Sequence, residues 1–313
     1  MRVLLAYPET PDTFWSFKHV VRLVSRRAAF PPLGLLTVAA MLPRHWELQL
    51  VDLNVEPLTD EHLRWADYVM VSAMLVQRAS VERIVERCVA NGRPVIAGGP
   101  LFTTGHAEFP RIRHFVLGEA EDVVPQLVKD MEAHAVRPCY EAAGRPDITK
   151  TPPPRWDLID PRDYVTPAVQ FSRGCPYDCE FCDIVVMNGR VPRTKSPGQL
   201  VAELEALLRH GWVGMVFIVD DNFIGDRKRT KALLQELVRW RDRTHPPLGF
   251  LTEASLNLAD DPELCELMVR AGFRKVFVGI ETPSLEGLSE WHKTQNQRGD
   301  LVAAVKTLQR AGM

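Results

Sequence analysis

Cys175-Pro-Tyr-Asp-Cys179-Glu-Phe-Cys182 places three of the chain's six cysteines within eight residues, directly after an extended apolar run. The spacing Cys-x3-Cys-x2-Cys, with Phe181 just before the last cysteine, suits three thiolates converging on one 4Fe-4S cluster and leaving the fourth iron without a protein ligand. An open iron is a place for chemistry. A structural zinc requires a fourth ligand, and Cys88, Cys139 and Cys265 are scattered singly, with no Cys-x2-Cys partner pair. A disulfide framework is disfavoured. The N-terminus shows no apolar core of a secretory signal, and the cysteines of a cytoplasmic protein, the location expected here, serve metals or catalysis.

A length of 313 residues suggests two domains, on a prior of roughly 150 residues each. With 46% hydrophobic and 25% charged residues and a formal charge of -2, the composition is that of ordinary globular proteins. There is no basic surplus pointing to nucleic acid. No apolar run reaches the roughly 18 residues of a membrane span, while Trp15 and Phe17 offer a peripheral membrane contact. We find no internal repeat and no low-complexity segment.

Segments 3–7, 47–53, 68–73, 94–97 and 115–117 are short, rich in Val, Ile and Leu, and bounded by turn residues, the pattern of buried strands. Helical patterns lie between them at 33–42, 80–90 and 120–133. Strands alternating with helices imply a parallel sheet covered on both faces, whose ligands sit outside the carboxyl ends of the strands. Three strands end in small or turn residues there: Ser72-Ala73-Met74, Gly98-Gly99-Pro100 and Gly118-Glu119. Glycine admits a backbone to a bulky planar ligand, although Gly-Gly after a strand is also simply a turn.

The stretch 137–165 contains Pro146 and the triplet Pro152-Pro153-Pro154 and reads as a semi-rigid linker, with Trp156 as a packing residue. Beyond it the alternation restarts. Strands are expected at 168–172, 214–219, 249–254 and 275–280, and helices at 197–209, 227–241, 262–271 and 300–311. Consecutive strand-helix units point to a parallel barrel with its chemistry at the carboxyl ends of the strands. Those ends are polar: Asp220-Asp221-Asn222, Glu253 with Ser255, and Glu281-Thr282. Helix capping is the competing role for such residues.

The cysteine triplet, with Ser172-Arg173-Gly174 leading in from the strand, resembles that of the radical S-adenosylmethionine (SAM) enzymes. Gly98-Gly99-Pro100 and Leu117-Gly118-Glu119-Ala120-Glu121 ahead of that triplet, and Pro31-Pro32-Leu33-Gly34-Leu35 opening the first helix, are similar to the cobalamin-dependent radical SAM family. The segments from Pro11 to His19, Val219 to Gly225 and Thr252 to Ala259 look like the subgroup that contains the hopanoid C-2 methylase. This resemblance implies an α/β chain with a Rossmann-like (flavodoxin-like) cobalamin-binding domain over 1–136, the linker over 137–165, and a partial radical SAM (β/α) barrel over 166–313.

For the sites, the resemblance implies cluster ligation by Cys175, Cys179 and Cys182, and Phe181 beside the adenine of SAM. It sets Asp220, Asp221 and Asn222 at the methionine amino group, and Glu281 at the ribose. Glu253 and Ser255 go to ribose or carboxylate, and Arg173 and Lys195 offset the negative charge. Cobalamin is assigned to Pro32, Gly34, Ser72, Gly98, Gly99, Pro100, Gly118 and Glu119. The chain departs from the cobalamin mutases, which supply a histidine to cobalt from Asp-x-His-x-x-Gly. Here the loop after the first strand runs from Pro8 to His19 without that motif, and Asp60-Glu61-His62 lacks the glycine. The lower face of the cobalamin is therefore expected to meet Met74, Val76 and Gln77.

The implied activity is methylation of an unactivated carbon of a lipid, hopanoid-like, or of another small metabolite, fed by an electron donor such as flavodoxin or ferredoxin. Members of the family use a 5'-deoxyadenosyl radical and methylcobalamin for such a step. A radical SAM enzyme of another reaction type and a non-catalytic iron-sulfur protein are the alternatives. The family's barrel has six strand-helix units and about four are legible here, so the chain is expected to be truncated.

Overall fold

The structure, a computed structural model, describes residues 1–13, 16–297 and 299–313. Trp15, expected at a membrane contact, and the side chain of His19 lie outside the described residues. The chain divides into two units, Met1–Val165 and Thr166–Met313.

In the first unit, β1 (Arg2–Tyr7), β2 (Glu47–Asp52), β3 (Tyr68–Ser72), β4 (Val95–Gly98), β5 (His114–Leu117) and β6 (Cys139–Glu141) form one sheet in the order β2-β1-β3-β4-β5-β6. Every pairing is parallel. Successive side chains of a strand point to opposite faces, so a strand covered on both sides needs an unbroken apolar run. Val3-Leu4-Leu5-Ala6 is such a run. Val3 and Leu5 join a core with Leu35, Ala39, Met70 and Ile96, whereas Leu4 and Ala6 join another with Val69, Val71, Ile84 and Phe102. The strand order reverses between β1 and β3, the flavodoxin-like switch point outside which ligands bind.

Helices Leu33–Met41, Arg78–Ala90 and Val124–Glu132 realise the three apolar patterns. Helices Lys18–Leu23, Asp60–Trp65 and Pro100–Gly105, six residues each, are too short to show a periodicity in the sequence. The proline-rich stretch 137–165, expected as a linker, packs on the first unit. It supplies β6 against β5, Trp156 and Tyr164 are buried, and the Tyr164 hydroxyl donates to Asp52 Oδ2 at 3.1 Å.

The second unit holds β7 (Ala168–Val169), β8 (Ser172–Arg173), β9 (Arg193–Thr194), β10 (Gly214–Ile218), β11 (Leu248–Ala254) and β12 (Phe273–Val278). A parallel sheet runs β12-β11-β10-β7, each strand beside its neighbour in sequence apart from the β8-β9 ribbon. Its helices start on designed caps. Ser196 accepts from the N–H of Gln199 at 3.2 Å, Asp226 from Arg229 at 3.0 Å, Asp261 from Leu264 at 3.1 Å and Asp300 from Val302 at 2.8 Å. Each cap contributes about 1 kcal/mol. Val216, Ile218, Phe250 and Thr252 are buried on one face of the sheet, and the alternating Met215, Phe217, Leu251 and Glu253 are less buried on the other.

Two expectations shift. The strand expected over 168–172 is split into β7, in the sheet, and β8, which turns into an antiparallel ribbon with β9. The last strand ends at Val278, leaving Gly279 to Thr282 as a loop.

Candidate cofactor sites

The cysteine loop is held from below by its own glycine. Gly174 has φ +101°, and a Cβ there would stand 2.9 Å from Gly189 O and 3.1 Å from Val191 O. The Cys175 N–H donates to Gly189 O at 3.1 Å, and the Cys182 N–H to Cys179 O at 3.0 Å. All three thiols are partly buried. Burial pushes the Cys175 thiol up, and the nearby Cys179 and Cys182 push in the same direction. Burial likewise raises Cys182, with Cys179 adding to it. Three thiols that feel one another in a half-desolvated pocket are a donor set for a polycationic core. Among the described residues no three His, Cys, Asp or Glu side chains meet at single-ion distance.

The acidic turn after β10 serves this loop. Asp220 is buried, and its Oδ1 accepts from Phe171 N at 2.7 Å while Oδ2 accepts from Ser172 N at 2.9 Å and Ser172 Oγ at 2.6 Å. Burial pushes its carboxyl up to about 7 against those hydrogen bonds. Asp221 Oδ2 accepts from Gly174 N at 2.7 Å and Asn188 Nδ2 at 2.9 Å. Both carboxylates, expected at the methionine amino group, make these contacts within the chain. They hold the backbone that delivers the cysteines, and they explain why β7 does not run on into β8. Asn222 does reach the loop: its amide N–H points at Cys175 Sγ at 3.9 Å and at Ser255 Oγ at 3.2 Å, and its Oδ1 accepts from Ser255 N at 3.2 Å.

Glu253 is exposed on β11, one residue short of the end of the strand. Glu281 has φ +65°, and its Oε1 accepts from Lys293 Nζ at 2.5 Å, so the carboxylate expected at the ribose is ion-paired. Lys293 is 8% exposed and lies over the Phe181 ring at 5.4 Å. The segment 291–296 escaped the sequence reading, because a single short turn carries no periodic or motif signal. Gln295 Nε2 donates to Cys179 Sγ at 3.5 Å. Gln295 Oε1 and Asn296 Oδ1 are buried acceptors without a hydrogen-bond partner, which fits a donor-bearing ligand such as SAM at this mouth. Lys195, expected to offset charge, is instead closed in a buried pair with Glu203 at 2.5 Å, and Arg173 Nε donates to Gln170 Oε1 at 2.7 Å.

In the first unit a small cavity of about 70 Å³ opens at the carboxyl ends of β3, β4 and β5, lined by Leu35, Ser72, Gly98, Gly99, Gly118 and Leu127 among others. Glycine shapes it. Gly99 has φ +92° and ψ 178°, a conformation almost restricted to glycine, and a Cβ there would meet Ser72 Oγ at 2.7 Å and Ala73 N at 3.0 Å. Gly98 lies against Val116 O, 3.2 Å from where its Cβ would stand, and Gly34 faces Ser72 Oγ at 3.9 Å. Pro32 precedes the helix Leu33–Met41 and Pro100 opens the helix Pro100–Gly105. The Gly118 N–H donates to Thr103 Oγ1 at 3.0 Å, and Glu119 pairs with Arg145 at 3.7 Å.

Beyond β3, Met74, Leu75 and Val76 are more than half exposed, while Gln77 is buried. Gln77 anchors that loop by accepting from Met74 N at 2.9 Å and donating to Pro8 O at 2.7 Å. It is a support of the loop and not part of its open face. His62 is occupied as a helix cap, its Nδ1 accepting from Thr59 N at 3.1 Å while His62 N donates to Thr59 Oγ1 at 3.3 Å. This apolar recess cornered by glycines, beside an exposed apolar loop, is open to the edge of a larger flat group.

Residues 169–313 match the radical SAM superfamily, and residues 20–128 match the B12 binding domain. An uncharacterized methyltransferase of Synechocystis sp. is 45% identical over the whole chain, which covers 59% of that protein. The hopanoid C-2 methylase of Rhodopseudomonas palustris is 38% identical over the whole chain, covering 60% of that protein. The chain thus spans about three fifths of the length of these relatives. Among solved structures, the cobalamin-dependent SAM radical enzyme OxsB, with aqua-cobalamin and SAM bound, superposes on 98% of this chain and 47% of its own with a TM-score of 0.75 at 16% identity. The radical SAM methyltransferase TsrM of Kitasatospora setae, with cobalamin and a 4Fe-4S cluster bound, superposes on 99% of this chain and 66% of its own with a TM-score of 0.74 at 18% identity. Residues 20–128 thus form a B12-binding domain and residues 169–313 a radical SAM domain, in a chain similar throughout to the hopanoid C-2 methylase.

Proposed function

We propose that the chain belongs to an enzyme that methylates an unactivated carbon of a lipid, hopanoid-like, or of another small metabolite, using a 4Fe-4S cluster, SAM and cobalamin. The observation that carries this reading is the presence, in one chain, of a three-thiol loop and of a glycine-cornered cavity at the carboxyl ends of a parallel sheet. Cys175, Cys179 and Cys182 would hold the cluster, with Phe181, Asn222, Ser255 and Glu253 on the side where SAM binds. Ser72, Gly98, Gly99 and Gly118 would hold cobalamin. When bound, the cluster with SAM supplies the one-electron chemistry that opens a C–H bond, and cobalamin supplies a transferable methyl group.

The chain's own part is placement. Asp220 and Asp221 fix the cysteine lead-in through buried N–H groups, and the tight Gly98-Gly99 turn packs its backbone on Val116, Ser72 and Ala73 at the cavity wall. The loop beyond β3 offers Met74, Leu75 and Val76 as an apolar face, and His62 is engaged as a helix cap with Thr59. An electron donor of flavodoxin or ferredoxin type fits the need for single electrons.

Iron and sulfide analysis after anaerobic reconstitution is the first test, with four irons per chain expected. Cys175→Ala, Cys179→Ala and Cys182→Ala should each abolish the broad brown absorbance, whereas Cys88→Ala, Cys139→Ala and Cys265→Ala should keep it. SAM labelled in its methyl group, offered with a hopanoid, then reads the reaction. Label in a product carbon supports methyl transfer, and deoxyadenosine without label transfer would replace it with another radical SAM reaction. Bound cobalamin should show a detached base, unchanged in His62→Ala.

A further inference from the structure

The turn from Trp291 to Asn296 is tied to the cysteine loop and to the end of β12 by contacts of four kinds. The Glu180 N–H donates to Trp291 O at 3.1 Å, and the Phe181 and Trp291 rings meet edge to face with centroids 6.0 Å apart. Lys293 lies over Phe181 while paired with Glu281. Asn296 Nδ2 donates to Gly279 O at 2.8 Å and Ile280 O at 3.2 Å. Gly279 leaves room for the pair, since a Cβ there would stand 2.4 Å from Glu281 Oε1 and 2.8 Å from Lys293 Nζ. Gln295 stands between these anchors, with its amide 3.5 Å from Cys179 Sγ.

A sulfur bound to iron carries no proton, so it can only accept, and the amide must face it with its N–H group. Reduction of a cluster places additional negative charge on its sulfurs. A fixed N–H donor, and the positive charge of Lys293 close by, therefore stabilise the reduced state more than the oxidised one, and hydrogen bonds to sulfur are among the features that set cluster potentials. We propose that Gln295 is a positioning residue that donates its N–H to Cys179 Sγ of the bound cluster and raises the cluster's reduction potential. This inference rests on the cluster reading above. Asn222 is a lesser contributor at Cys175, being further from the sulfur at 3.9 Å and shared with Ser255 at 3.2 Å.

The test is a potentiometric titration of the reconstituted chain, followed by the electron spin resonance signal of the reduced cluster and run without SAM or substrate, together with iron counts. Gln295→Leu keeps the bulk and removes the donor. It should retain four irons while its reduced-to-oxidised ratio at a fixed applied potential falls about tenfold, or about 59 mV for a one-electron couple. Gln295→Glu, which replaces the donor by an acceptor with negative charge, should fall further. Cluster-loaded variants that titrate with the wild type would overturn the inference, as would loss of iron in both variants with no shift in the clusters that remain. A wild-type chain that takes up no cluster would overturn the cofactor reading itself and this inference with it.

Discussion

The strand ends of the two units solve opposite problems. In the first, Gly98 and Gly99 leave side chains out so that the backbone packs directly on Val116, Ser72 and Ala73, and Gly118 faces open space. In the second, Asp220 and Asp221 put charged side chains in, and the loop's own N–H groups occupy them. A bulky planar group that arrives whole needs a prepared cavity. A cluster held by three thiols from one short loop needs that loop's backbone fixed, since the thiols can converge only if the chain between them is held.

The sharpest way to break this contrast is Asp220→Ala. It strands two buried N–H groups and a hydroxyl, each costing about 1–3 kcal/mol, so the variant should lose at least about 3 kcal/mol in urea denaturation and hold iron poorly. A midpoint and iron content equal to wild type would show that the carboxylate is free for a ligand after all.

Gly99→Ala tests the other side. Its φ of +92° and the 2.7 Å approach to Ser72 Oγ combine strain with a clash, for an expected loss of about 3 kcal/mol and at least tenfold weaker cobalamin binding in a spectroscopic titration. Gly118→Ala is the comparison within the cavity. Its φ is +73° but a Cβ there meets nothing within 4 Å, so only the left-handed penalty of about 1 kcal/mol should appear. Equal losses at the two positions would mean that close approach to Ser72 and Ala73 is not what Gly99 provides.

A subtler difference lies in pH. Asp52, at the end of β2, is pushed up to about 6 by burial, although Asn54 and Tyr164 hydrogen-bond its charged form. Its proton is therefore held more tightly in the folded state than in the unfolded chain. That contribution is fully present below about pH 4 and is lost as pH rises through about 6. Asp52→Asn should flatten the stability profile between those values, by on the order of 2–3 kcal/mol, given 1.36 kcal/mol per pKa unit. A wild-type profile that rises across the same window would refute the sign.

Much was legible in the sequence because the signals were local. The run Val3-Leu4-Leu5-Ala6 announces a strand covered on both faces, Ser196-Pro197 announces a helix start, and the cysteine spacing announces a thiol cluster. The acids after β10 were legible as important but not in their role. Asp220 bonds to Phe171 and Ser172, about fifty residues earlier in the chain, and nothing in the local pattern distinguishes a carboxylate facing a ligand from one facing a backbone. The stretch 137–165 was misleading for a related reason: prolines favour an extended chain without saying whether it spans solvent or lies on a sheet edge, as β6 does.

The sequence by itself determined the two parallel α/β units, the thiol triplet and the glycine corners, since periodicity, spacing and conformational permission are properties of neighbouring residues. Only the tertiary structure decided that Asp220 and Asp221 hold the cysteine lead-in, that Lys293 closes on Glu281 over Phe181, and that Gln295 reaches Cys179. Those pairings join residues 12 to 116 positions apart, and hydrogen bonds and ion pairs act over a few ångströms, so they exist only once packing has brought their partners together.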